Sequence, residues 1–153
     1  MDGLHEGSAK YYRLILSLVL ATIFMAVNIA YAVDTDGLLS PFEKKLFHLI
    51  NQYRIKKGLN PLSTDEPLQR LAKIHSLDMN RKDSLCHDLF EERFRKSGRS
   101  HCVENVGWNY PTPQAQFEAW KNSKGHNVNL LSRKIKYAGI SEVGSYATFF
   151  ACD

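Results

Sequence analysis

Residues 87–126 read HDLFEERFRKSGRSHCVENVGWNYPTPQAQFEAWKNSKGH, and the arrangement of the whole chain turns on how this stretch folds. It gathers His87, Glu104, Trp108, Trp120 and His126, with Asn105 beside the glutamate and Gly125 beside the second histidine. Imidazoles and a carboxylate that converge can bind a borderline metal, move protons or grip a polar ligand. Separations this long exceed any single helix face, so a site built from them must be assembled by tertiary structure. Leu89 to Lys96, with Phe90 and Phe94 one turn apart, reads as a short amphipathic segment that stops at Gly98. Val103 to Trp108 reads as an extended segment, which puts Glu104, Val106 and Trp108 on one face and Val103, Asn105 and Gly107 on the other. Thr112 and Pro113 open a helix with Phe117 and Trp120 inward. Lys124-Gly125 breaks that helix and leaves His126 in a loop or in the first turn of a short segment ending near Leu131.

On the N-terminal side, Ser40, Pro41 and Glu43 form a capping box with proline at the first helical position. Phe42, Leu46, Leu49, Ile50 and Tyr53 then repeat at helical spacing, and Gly58 ends the run. After the apolar connection Leu59, Pro61 and Leu62, a second helix starts, capped by Ser63 with Glu66 or, better for Pro67 in the first turn, by Asp65. It carries Leu68, Leu71, Ala72, His75 and Met79 on one face and runs to about Arg81. His75 on this apolar stripe reads as a hydrogen-bonded core or boundary residue. His48 sits near lysines and His101 in a polar turn, where exposure is the simple reading. On the C-terminal side, 137–143 and 146–151 read as two strands joined around Gly144, a closing hairpin. Helices on both faces of a small sheet make an α+β domain.

The chain of 153 residues is long enough for one domain with a sizeable core. Its first 32 residues stand apart: Lys10 and Arg13 precede an uncharged, mostly apolar run from Leu14 to Ala30, and Ala30-Tyr31-Ala32 matches a small-x-small cleavage pattern. The expectation is a secretory signal over 1–32, with an uncleaved membrane anchor as the alternative because the run approaches the length of a bilayer span. Residues 33–40 read as a linker and 41–153 as the domain, working outside the cytoplasm. The formal charge of +4 is scattered among acidic residues and is no nucleic-acid signature. Cys86, Cys102 and Cys152 all fall in the exported part, where an oxidising compartment favours one disulfide and one leftover thiol. Three pairings are open. The candidate is Cys102 with Cys152, which would tie the final segment to the one carrying Glu104. No CxxC pair exists to favour a cysteine metal site.

The order of these features resembles the CAP superfamily, also called SCP-like domains, and its short bacterial and archaeal branch above all. The resemblance rests on Asn51 and Arg54 before Gly58-Leu59 and Pro61-Leu62, then Leu71-Ala72, His75-Ser76, Asp78-Met79 and His87. It continues through Phe94, Gly98, Glu104-Asn105-Val106, Trp120, Ser123, Gly125-His126, Asn129, Ala138-Gly139-Ile140 and Tyr146 to Phe150. It implies an α-β-α sandwich with a central cleft, whose histidines correspond to His87 and His126 and whose first glutamate corresponds to Glu104. Animal and plant members carry a second cleft glutamate before the last histidine. This chain reads Trp120-Lys121-Asn122-Ser123 there, and Glu118 lies too early to be its equivalent.

Three functional readings follow. The first is a secreted binding protein whose cleft, with Glu104, Asn105 and Ser123, takes a lipid, a peptide or an envelope fragment. His87 and His126 are then candidate ligands for Zn²⁺ or another divalent metal. The second is a metal-dependent hydrolase of peptide or envelope material, in which His87 and His126 hold the metal and Glu104 is the base. If Glu104 instead accepts a hydrogen bond from His87, it orients that ring and no hydrolytic centre follows. The third is a non-catalytic interaction module. Trp108 and Trp120 read either as a ligand platform or as the wall that fixes the polar cluster. A monomer without a nucleic-acid partner is expected, meeting the membrane only if the N-terminal segment stays attached.

Overall fold

The computed structural model describes residues 39–153; the expected leader over 1–32 and most of the linker over 33–40 lie outside them. The elements run α1 (Pro41–Lys56), β1 (Ser63–Thr64), α2 (Glu66–Lys82), α3 (Phe90–Ser97) and β2 (Cys102–Trp108). They continue with α4 (Pro113–Asn122), α5 (Lys124–Leu130), β3 (Tyr137–Val143) and β4 (Tyr146–Cys152). Among the described residues no helix is long and apolar enough to cross a membrane.

Local signals set the helix starts. Ser40 and Glu43 close a reciprocal capping box on α1, satisfying two amide donors that have no partner within the helix. The Asp65 carboxylate accepts from the Leu68 amide, so Asp65 rather than Ser63 caps α2. Thr112 caps α4 with Pro113 in its first turn, and Gly98 ends α3 at a φ of 66°. Of the expected α1 stripe, Leu46 and Ile50 are fully buried while Phe42, Leu49 and Tyr53 pack at its margin. The next inward position is taken by Arg54, itself buried.

The sheet order is β1-β3-β4-β2. β3, β4 and β2 are antiparallel, and the two-residue β1 adds a parallel edge to β3 through Ser63↔Tyr137 and Thr64↔Ala138. Alternation along β4 builds the two cores. Ala147, Phe149 and Ala151 face α1 and α4, together with Leu46, Ile50, Phe117 and Trp120. Phe150 and Cys152 face α2 with Leu68, Leu71 and Ala72. Each large side chain buried this way contributes roughly 2 kcal/mol. The result is the expected α+β, α-β-α sandwich, with helices on both sheet faces. At Gly139 the layers nearly touch: a Cβ there would sit 2.2 Å from the Leu68 carbonyl. Gly144, at φ 59°, supplies the positive φ that the tight β3–β4 turn requires.

Cys102 and Cys152 face each other in the β2–β4 register and are joined by a disulfide, with Cα atoms 4.1 Å apart. The Asp153 amide bonds the His101 carbonyl just beyond the pair, which makes it a close pair flanked by ladder bonds. Cys86 is the free thiol, half-buried against Met79, Val106 and Tyr146.

Candidate functional site

β2 is the free edge of the sheet, and its alternation splits the candidate residues between the two faces. Glu104 points to the α2–α3 side. There its Oε2 accepts from Arg93 Nε at 2.7 Å, and its Oε1 accepts from Arg93 Nη2 at 2.8 Å and from His87 Nδ1 at 2.9 Å. Arg93 and Glu104 are each 5% exposed, a buried fork-to-carboxylate pair. Burial pushes the Glu104 carboxyl up, but the hydrogen bonds from His87 and Arg93, with the charge of Arg93, outweigh it and hold it below its ordinary 4.5. The bond to Glu104 fixes His87 with its proton on Nδ1 and leaves Nε2 free on a ring that is about half exposed.

The segment that carries His87 is tied down at several points. Asp83 ends α2 in the left-handed region and accepts from the Tyr146 hydroxyl at 2.8 Å. His75 Nε2 donates to the Cys86 carbonyl at 2.9 Å, and Arg93 Nη1 donates to the Asp88 carbonyl at 2.7 Å. His75 also stands 3.6 Å from Glu104 Oε1. Burial lowers its pKa despite that carboxylate, which favours the neutral ring at neutral pH. His75 is thus the hydrogen-bonded core residue its position on the α2 stripe implied.

His126 approaches from the other face. Asn105, fully buried, donates from Nδ2 to the His126 carbonyl at 3.0 Å and accepts from Asn129 Nδ2 at 2.8 Å. The Asn129 amide also reaches the Glu104 carbonyl, so α5 is stitched to β2 through side-chain amides. Asn105 therefore spends its polar atoms on backbone and neighbour. Burial lowers the His126 pKa, and the charge of His87 lowers it further.

A cavity of about 270 Å³ wraps this edge, lined by Leu85, Trp108, Tyr110, Trp120, Ser123 and His126, among others. Trp120 is buried and donates its indole proton to the Val106 carbonyl at 2.8 Å, acting as wall. Trp108 is different: 51% exposed, it packs on the Tyr146 ring and offers a free aromatic surface. His126 and Ser123 lie in the lining, whereas His87, Glu104 and Asn105 do not. Sequence reasoning did not single out Arg93, Leu85 or Tyr110. The signal for Arg93 was present, since Phe90, Arg93, Phe94 and Ser97 follow i, i+3, i+4, i+7 spacing and put the arginine on the inner face of α3.

A three-ligand metal centre does not fit this donor set. Both Glu104 oxygens are committed, and among the described residues no group of three or more His, Cys, Asp or Glu could hold a metal ion. The two imidazoles remain as the available ligands.

The model of the cysteine-rich secretory protein family matches residues 47–153. The uncharacterized Bacillus subtilis protein YkwD is 33% identical over 114 residues, covering 70% of this chain and 44% of its own length. The uncharacterized B. subtilis membrane protein YlbC is 32% identical over 118 residues, covering 69% of this chain and 33% of its own length. This chain thus spans less than half the length of these curated relatives. Among solved structures, an extracellular protein containing an SCP domain from Bacillus anthracis is 25% identical with a TM-score of 0.68, covering 74% of this chain and 44% of its own. An outer surface protein from Borrelia burgdorferi shares the fold at 20% identity and a TM-score of 0.68, covering 79% of this chain and 96% of its own. With the α-β-α sandwich and the match across most of its length, this chain belongs to the cysteine-rich secretory protein family, the CAP superfamily.

Proposed function

We propose that this domain works outside the cytoplasm as a binding module for a small amphipathic ligand of lipid, peptide or envelope origin. The cleft at the β2 edge would take the ligand's apolar part on Leu85, Trp108 and Tyr110 and its polar end at His126 and Ser123. The observation that carries this reading is the juxtaposition of a half-exposed tryptophan with a histidine in one cavity. The disulfide and the extracellular and outer-surface relatives support the location. Binding is favoured over hydrolysis because Glu104, held ionised by three hydrogen bonds, is a weak proton acceptor. Were a divalent metal taken up, His87 and His126 are the residues that would hold it.

Trp108 supplies the readout. Its fluorescence should respond to titration with a panel of lysophospholipids, short peptides and peptidoglycan fragments, and the response should survive a chelator. Trp108→Ala and His126→Ala, followed by calorimetry, should each weaken the best ligand by roughly tenfold or more. Unchanged affinity in both variants would sink the cleft as the binding site. Turnover of any panel member, lost in Glu104→Gln while binding persists, would replace the binding reading with the hydrolase.

A further inference from the structure

At the opposite edge of the sheet, where β1 meets β3, a second cavity of about 380 Å³ is lined by Arg54, Asn60, Ser63, Arg133, Lys136 and Tyr137, among others. No acidic residue lines it. Arg54 is the unusual member. It lies on the inner face of α1, 2% exposed, and makes no ion pair among the described residues. Its Nε donates to the Asn60 carbonyl at 3.0 Å, and its Nη1 donates to the carbonyls of Leu130 at 2.8 Å and Ser132 at 3.0 Å. These bonds close the end of α5 and the loop after α1, but they bring no counter-charge. Nη2 has no hydrogen-bond partner among the described residues. Burial alone lowers the pKa of this guanidinium, an energetic cost that a bound anion would offset.

We propose that this cavity is an anion-binding site for a phosphorylated sugar or polyol, with its phosphate held by Arg54 Nη2, Arg133 and Lys136 and its hydroxyls by Asn60, Ser63 and Tyr137. Guanidinium groups suit phosphate because their planar donors match its oxygens, and a lysine adds a mobile point charge. The volume exceeds that of a bare phosphate ion and falls in the range of small-molecule pockets. The site shares no lining residue with the β2-edge cleft, so it stands or falls independently of the function proposed above.

Calorimetric titration of the full chain with glucose 6-phosphate, glucose and inorganic phosphate tests the assignment. Glucose 6-phosphate should bind with one-to-one stoichiometry, inorganic phosphate more weakly, and glucose not at all. Arg133→Ala and Lys136→Ala, exposed positions whose loss should leave the fold intact, should each weaken the sugar phosphate by about tenfold, the loss of one charged hydrogen bond. Arg54→Lys keeps the charge but gives up the fork that bonds the Asn60, Leu130 and Ser132 carbonyls, so its unfolding midpoint should fall, and titrated below that midpoint the folded variant should bind glucose 6-phosphate about tenfold more weakly. Absence of glucose 6-phosphate binding, or equal affinity in the parent and an Arg133→Ala/Lys136→Ala double variant, would overturn the proposal. Glucose binding as tightly as its phosphate would overturn the anion assignment as well.

Discussion

Arg93 and Glu104 are the pair on which the setting of His87 depends, because Glu104 orients that ring only while Arg93 holds the carboxylate in place. Removing one member of a buried ion pair strands the other without compensation. Arg93→Ala should therefore cost about 3 kcal/mol or more, and Arg93→Met combined with Glu104→Gln should cost less than the sum of the single changes. Urea unfolding of the parent, Arg93→Ala, the two single changes and the double variant measures both. The same cluster sets the acid response. His75 and Glu104 both have folded-state pKa values below their ordinary 6.5 and 4.5, so the unfolded chain takes up protons more readily at each. Their stabilisation is full above those ordinary values and is lost as pH falls, for His75 below about 6.5 and for Glu104 below about 4.5. Urea midpoints should fall on acidification from about pH 7 to about pH 5, and His75→Gln should flatten that decline. An equal decline in the variant would remove His75 as its source. Glu104 beside Asn105 and His126 beside Gly125 stood out in the sequence, with His87 as the second imidazole. Arg93 did not, because a charged residue in EERFRK looks solvated until the helix is docked and its inner face is known.

Elements were legible to the extent that their signals were local. The capping box at Ser40, Asp65 before α2, Thr112-Pro113 before α4 and Gly144 in the hairpin act within a few residues, and each element forms where those residues place it. The alternation of β2 was equally readable, with Glu104 and Val106 against α2 and α3 and Asn105 toward α5. β1 carried no such signal. Two residues have no periodicity, and Ser63–Thr64 is a strand only because β3 bonds it from more than seventy positions later. Gly139 belongs to the same class of non-local fact. Nothing in Ala138-Gly139-Ile140 says that a helix backbone crosses the strand there, yet a Cβ would lie 2.2 Å from the Leu68 carbonyl, too close for a methyl. Gly139→Ala must push α2 off the sheet or bend β3. It should lower stability by about 2 kcal/mol, the scale of an overpacked core, whereas an alanine at exposed Gly125, which meets nothing, should cost far less. Chemical denaturation of the two variants decides the matter, and similar midpoints would contradict the contact.

At the scale of the molecule, the sheet separates two cavities of different chemistry. One wraps the free edge of β2 with aromatic rings and a histidine; the other sits where β1 joins β3, with three cations and no acid. Three strand spacings lie between those edges, about 14 Å at the usual interval, and the intervening layer is β3 and β4 packed on both faces. A rigid, close-packed sheet of this kind offers no second arrangement for a ligand at one edge to select, and coupling requires such a pair of states. Perturbations this far apart with no shared partner should also combine additively, within about 0.5 kcal/mol. Saturating the β1–β3 cavity with glucose 6-phosphate should therefore leave the Trp108 fluorescence titration unshifted. Arg133→Ala and Trp108→Ala should likewise add without interaction in a double-mutant cycle read on each ligand. A shift beyond that margin in either direction, reciprocated at the other site as linkage demands, would mean that α5 transmits between them. That helix is the candidate because it touches both ends: Asn105 and Asn129 bind it to β2 beside His126, while Arg54 clamps its last carbonyl at Leu130 beside the cationic cavity.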